Sequence, residues 1–178
     1  MENAKKQKSN VSSKTRILVS AALFSALVCV TTAYFLHIPV GNGGFIHVGD
    51  TFIYLAAVLL PTPYAAMSAA IGAGLADILT GSANWALATI IIKPILVLFF
   101  TNKSEKIINT RNLSAAVIAG IVGTVLYMLA EGIMIGNLFG AFMLSLIGLI
   151  QPVGSFIFFV VIGGVFDRLK IKEIIKGR

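Results

Sequence analysis

Charge is scarce in this sequence. Only 12% of its 178 residues are Asp, Glu, Lys or Arg, 57% are hydrophobic, and the mean hydropathy is +0.93. An ordinary soluble domain carries about 25% charged residues, so that class is excluded. Cysteine is scarcer still. Cys29 stands alone inside the first apolar run, which leaves no disulfide framework and no cysteine metal motif. No Walker A pattern, HExxH or GxSxG is present, so P-loop ATP hydrolysis, zinc-protease and serine-hydrolase chemistry lack a sequence basis. The two histidines, His37 and His47, lie on one loop and suit a ligand or water better than a metal. No cofactor is expected. The short alternating segments of a transmembrane barrel are missing, and the two halves show no convincing inverted repeat.

What is there is a chain of apolar segments. They recur along the whole length and define an all-α integral membrane protein. Four spans are plain, at about 17–36, 85–101, 113–136 and 141–166. The first is too long for the ~7–15-residue core of a signal peptide, and Thr31-Thr32-Ala33 is a poor cleavage site, so it reads as a retained helix. The region between Ile46 and Leu79 contains Pro61 and Pro63 and can be one kinked helix or a hairpin of two.

The formal charge of +7 decides between these. Lys and Arg concentrate on the cytoplasmic side of membrane proteins. A hairpin (spans 46–60 and 63–79) makes six spans with both termini cytoplasmic. It then places thirteen of the fourteen basic residues inside, in clusters at 1–16, 103–111 and 168–178. Lys93 is the exception. One long helix would put the middle cluster opposite the first. The expectation is a single six-helix domain over 1–178, with a basic leader at 1–16, an outer loop at 37–49 and a basic tail at 167–178. Clusters that flank apolar runs are explained by topology, and no nucleic-acid partner is needed.

The outer loop, HIPVGNGGFIHVGD through Asp50, holds four glycines, His37, Asn42 and His47, and suits a cover over a site. Ionisable residues inside a membrane are costly and usually mark a substrate or ion path. Here Asp50, Asp77 and Glu131 fall near the outer ends of their helices. Lys93 is about two and a half turns deep, with a stem long enough to reach outward. Asn84 and Trp85 cap helix 4 on that side, Gln151 adds an amide at mid-depth, and Gly123, Tyr127 and Glu131 share one face of helix 5. The reading is an outward-facing polar pocket. The plainer alternative is a structural ion pair of Lys93 with Asp77 or Glu131, and packing alone for Tyr127. In helix 3, Ala65, Ala69, Ala73 and Asp77 form one row and Ser68, Gly72 and Ala76 another, which lets backbones approach closely. Ala22 and Ala26 form a similar stripe on helix 1, open to a neighbour in the same chain or to another subunit.

The stretch HVGDTFIYLAAVLLPTPYAAMSAAIGAGLADILTGSANWALATIIIKP, residues 47–94, carries a resemblance. A GD opening helix 2, a short turn, a small-residue helix 3 ending in D and an IIK in helix 4 resemble the substrate-binding S component of bacterial energy-coupling factor (ECF) transporters. Pro61-Thr62-Pro63 departs from the glycine-containing turn of many relatives. The resemblance implies a vitamin-capturing subunit of the bacterial cell membrane, closed on the outside by the loop between helices 1 and 2. It implies a transmembrane coupling subunit, which Ala22 and Ala26 would contact, and two cytoplasmic ATPases, which would explain the missing ATPase motif. It spans ligands such as riboflavin, pyridoxine-type vitamers and hydroxymethylpyrimidine. Three acids against one lysine favour a pyridoxine- or pyrimidine-type ligand first and riboflavin next. The competing function is a stand-alone proton-coupled secondary transporter working through Asp77 or Glu131. A membrane enzyme lacks any recognisable motif.

Overall fold

The computed structural model describes residues 2–39 and 45–176, with side-chain surroundings for 13–39 and 46–175. Among the described residues are seven helices of ten or more residues, a short eighth and one small ribbon. In chain order they are α1 (Glu2–Ala33), β1 (Ile38–Pro39), β2 (Phe45–Ile46), α2 (Asp50–Leu59), α3 (Thr62–Leu79), α4 (Ala83–Val97), α5 (Thr110–Ile135), α6 (Leu138–Gly148), α7 (Ile150–Arg168) and α8 (Ile171–Lys176).

The breaks between helices have local causes. Leu60 is extended (φ −101°, ψ 159°) because Pro61 follows it, so α2 stops there. Pro63 falls in the first turn of α3, where its missing N–H is not needed. The Asn109 side chain caps α5 by accepting from the Asn112 N–H at 3.0 Å. Gly136 (φ 67°) ends α5 in the left-handed conformation that glycine adopts without strain. Asn137 then caps α6, accepting from the Gly140 N–H at 2.9 Å.

Two expectations about the spans need correction. The last span, expected as one helix at 141–166, is divided at Leu149 into α6 and α7. Pro152 is the reason: it cannot donate to the Gly148 carbonyl and its ring crowds that turn, so it sits in the first turn of a new helix. The segment expected as helix 46–60 begins only at Asp50, because Phe45–Ile46 pairs antiparallel with Ile38–Pro39. The outer loop is therefore built on a small ribbon rather than on coil alone.

The helices are arranged around α2. Nine of its ten residues are buried, which makes this short element the centre of the bundle, in contact with α1, α3, α4 and α7. The Thr51 hydroxyl ties it to α7 by donating to the Ser155 carbonyl at 3.2 Å. α3 lies between α1 and α4. Ser68 donates to the Ala21 carbonyl at 2.8 Å, and a Cβ added at Gly72 would stand 2.8 Å from Val28 Cβ, so the small-residue rows set the α1–α3 distance. Gly120 does the same for α5, admitting Pro152 of α7.

Around this centre the surface is apolar. Leu18, Val19 and Leu23 on α1, Ile118 and Ile121 on α5, and Phe142, Val153 and Val161 on α6 and α7 are all exposed. Three segments, Ser13–Ala33, Thr110–Ile135 and the kinked Leu138–Arg168, are long and apolar enough to cross a bilayer, and α2 and α4 are shorter apolar helices. Exposed faces this hydrophobic belong in lipid. At one end of the bundle the connection after α4 is pinned to the core. Asn102 donates to the Leu60 carbonyl at 2.8 Å, and Asp167 accepts from the N–H groups of Ile107 (2.7 Å) and Ile108 (2.9 Å). That end carries Lys103, Lys106, Arg111, Arg168 and Lys170. Asp50, Asp77, Trp85 and Glu131 sit at the helix ends opposite.

Candidate functional site

At that opposite end α3, α4, α5, α6 and α7, the start of α2 and the loop before it enclose a cavity of about 210 Å³. The wall includes His47, Asp50, Asp77, Trp85, Lys93, Tyr127, Glu131 and Gln151. These eight expected site residues are thus brought together. Gly123 joins them on the α5 face, one turn from Tyr127.

Two other expected residues are elsewhere. Asn84 is exposed and does not line the cavity; helix 4 begins one residue earlier, its N-cap is Ser82, and Asn84 turns away while Trp85 turns in. His37 lies outside the wall, its Nδ1 3.2 Å from the Thr32 carbonyl, because the ribbon carries Ile46 and His47 rather than His37 over the cavity. Asn42 lies outside the described residues.

Lys93 is bonded neither to Asp77 nor to Glu131 by an ion pair. Its Nζ donates to Asp50 Oδ1 at 2.6 Å, and the second carboxylate oxygen of Asp50 accepts from Gln151 Nε2 at 2.9 Å. α2, α4 and α7 are thereby joined through one fully satisfied carboxylate. The lysine amine also stands 5.0 Å from the centroid of the Tyr127 ring, a cation–π distance. Charge buried to this degree is tolerated only when paired and hydrogen-bonded, and Lys93 is 2% exposed.

A second polar chain runs along the neighbouring wall. Tyr127 Oη donates to Thr89 Oγ1 at 2.9 Å, and Thr89 and Asp77 both line the cavity on this side. The Trp85 ring packs on Tyr127 with centroids 6.0 Å apart. Thr89 lines the cavity as well, a residue that charge and hydropathy do not single out. It is one turn after Trp85 on the face of α4 that also carries Lys93 four residues on, and that spacing was available as a clue. On the ribbon side, His47 Nδ1 accepts from the Gly49 N–H at 2.9 Å, which leaves the proton of the neutral ring on Nε2. Burial, assisted by the charge of Lys93, pulls the His47 pKa down to about 3, against the smaller upward pull of Asp50.

Ala22 and Ala26 are exposed on α1, while Phe24 and Val28 on the same helix are buried. The stripe therefore faces away from the chain's own bundle.

A helical multi-pass membrane protein with a cavity of apolar wall and a few fixed polar groups at one end is the class these features define. The chain matches the family model described as "ECF-type riboflavin transporter, S component" over residues 12–172 and belongs to that family. It is a transporter subunit and not an enzyme. Neither the curated proteins nor the solved structures return a match.

Proposed function

We propose that this chain is the substrate-capturing subunit of an ECF-type importer and that its ligand is riboflavin or a close flavin. The observation that carries the proposal is the coincidence of the family match with the cavity. The matched residues supply its whole described wall, and that wall combines aromatic faces (Trp85, Tyr127) with a few fixed polar groups, the composition of a small-molecule site. The preference for a pyridoxine- or pyrimidine-type ligand rested on three acids opposing one lysine. That count loses its force, since Asp50 is already neutralised by Lys93 and capped by Gln151.

In this reading six spans cross the bilayer, with both termini on the cytoplasmic side and the cavity at the outer side. The basic residues at the end opposite the cavity support that orientation. His47 and Ile46 close the cavity from the ribbon. Partner subunits, a transmembrane coupling protein and two cytoplasmic ATPases, provide the energy, and the outward-facing Ala22 and Ala26 form the flat surface on which the coupling protein packs.

Mass spectrometry and flavin fluorescence of the detergent-purified full chain test the ligand. Riboflavin should co-purify or bind on addition and raise the thermal midpoint; absence of binding, with no response to riboflavin, would overturn the proposal. For the partner surface, the Ala22→Trp/Ala26→Trp variant should bind riboflavin as wild type does but fail to co-purify with the coupling subunit. Undiminished assembly would remove the role of α1. Proton-driven uptake by the lone chain in liposomes would instead favour a secondary transporter.

A further inference from the structure

Two buried polar atoms of the cavity wall have no hydrogen-bond partner among the described residues: Asp77 Oδ2 and Trp85 Nε1. Both residues line the cavity, at 5% and 7% exposure. Native proteins rarely leave such atoms unpaired, and each instance calls for a cause. Here the two atoms differ in kind. An indole N–H only donates. The carboxylate oxygen is an acceptor, and its role follows from the chain behind it. Thr89 Oγ1 accepts from Tyr127, so its own hydrogen is free to go to an acceptor such as the Asp77 carboxylate, which lines the same wall.

The two groups share one corner. Trp85 and Thr89 are one helical turn apart on a single face of α4, the Trp85 ring packs on Tyr127, the donor to Thr89, and Asp77 lines the same cavity. Elsewhere in the wall Asp50 has both oxygens occupied and offers no acceptor of this kind. A ligand that satisfies this corner presents an N–H beside a carbonyl on a flat ring. We propose that Asp77 and Trp85 read a cyclic imide edge, Asp77 accepting from the ring N–H and Trp85 donating to the adjacent carbonyl. The assignment rests on the flavin reading above, because the pyrimidinedione ring of a flavin carries such an edge. It makes Asp77 and Trp85 the residues that select it.

The test compares dissociation constants of riboflavin and 3-methylriboflavin, in which the imide N–H is replaced by N–CH3. Lumazine and its N3-methyl derivative serve as a second pair. Wild-type protein should prefer the N–H form of each pair about tenfold or more, as expected for a hydrogen bond to a charged acceptor. In Asp77→Ala the preference should fall to about one. In Trp85→Phe both members should weaken together while the preference persists. Thermal midpoints of the ligand-free variants show whether each has folded; if Asp77→Ala has not, the wild-type preference decides alone. Equal binding of both members by wild type, or a preference that survives in folded Asp77→Ala, overturns the imide assignment while leaving riboflavin binding intact. Discrimination within the lumazine pair without riboflavin binding would overturn the flavin reading and keep the imide edge. Failure to bind either pair overturns both.

Discussion

The cavity has two polar corners built from similar residues and left in opposite states. In one, Asp50, Lys93 and Gln151 satisfy one another, so that a carboxylate and an amine at 4% and 2% exposure form a closed unit joining α2, α4 and α7. In the other, Tyr127 donates to Thr89, while Asp77 Oδ2 and the Trp85 indole N–H have no hydrogen-bond partner among the described residues. On the proposed function, the difference separates scaffold from recognition. A carboxylate with both oxygens engaged has little further hydrogen bonding to offer a ligand, and its removal acts first on the fold. A carboxylate with one oxygen free acts first on binding. Tyr127 belongs to both corners, with its ring facing Lys93 and its hydroxyl bonded to Thr89.

The closed corner can be broken directly. Lys93→Met leaves Asp50 as a buried charge without its cation and should lower stability by about 3–5 kcal/mol, the usual cost of removing one partner of a buried pair. Asp50→Asn combined with Lys93→Met removes both charges and should recover most of that loss. Thermal or chemical unfolding of the ligand-free protein in detergent measures both variants. Full riboflavin affinity in the double variant would mark the corner as scaffold. Equal instability of the single and double variants would show that the ion pair is not what Lys93 contributes.

Much of this arrangement was legible in the sequence, and the remainder has physical causes. Intramembrane charge is expensive, so Asp50, Asp77, Lys93 and Glu131 stood out, and helix-end depth alone brought them to one level. The pairing of Lys93 with Asp50 was not legible, because depth along a helix does not fix rotation about its axis. Asn84 and Trp85 show the same limit: adjacent residues differ by about 100° around a helix, and only one of them turns inward. The kink at Leu149 was within reach, since Pro152 interrupts an apolar run; hydropathy registers the run and is silent on the missing donor. Thr89 was overlooked because a threonine in an apolar helix usually bonds its own preceding turn.

His47 sharpens the comparison from the outside, since the ribbon brings its ring over the cavity and within the field of Asp50 and Lys93. Its pKa falls from the ordinary value near 6.5 to about 3 chiefly because burial disfavours the imidazolium. A depressed histidine pKa means that the folded state prefers the neutral ring. The associated stability is complete above the unfolded value and is lost as pH falls from about 6.5 towards 3. At pH 5.5, one unit below the unfolded value, the loss should be about 1.4 kcal/mol. His47→Gln retains an acceptor for the Gly49 N–H but cannot take up that proton, so its unfolding midpoint should hold level between pH 7 and 5.5 while the wild-type midpoint drops. Parallel curves for the two proteins would show that His47 is free to ionise in the fold and that the ribbon does not seal the cavity from water.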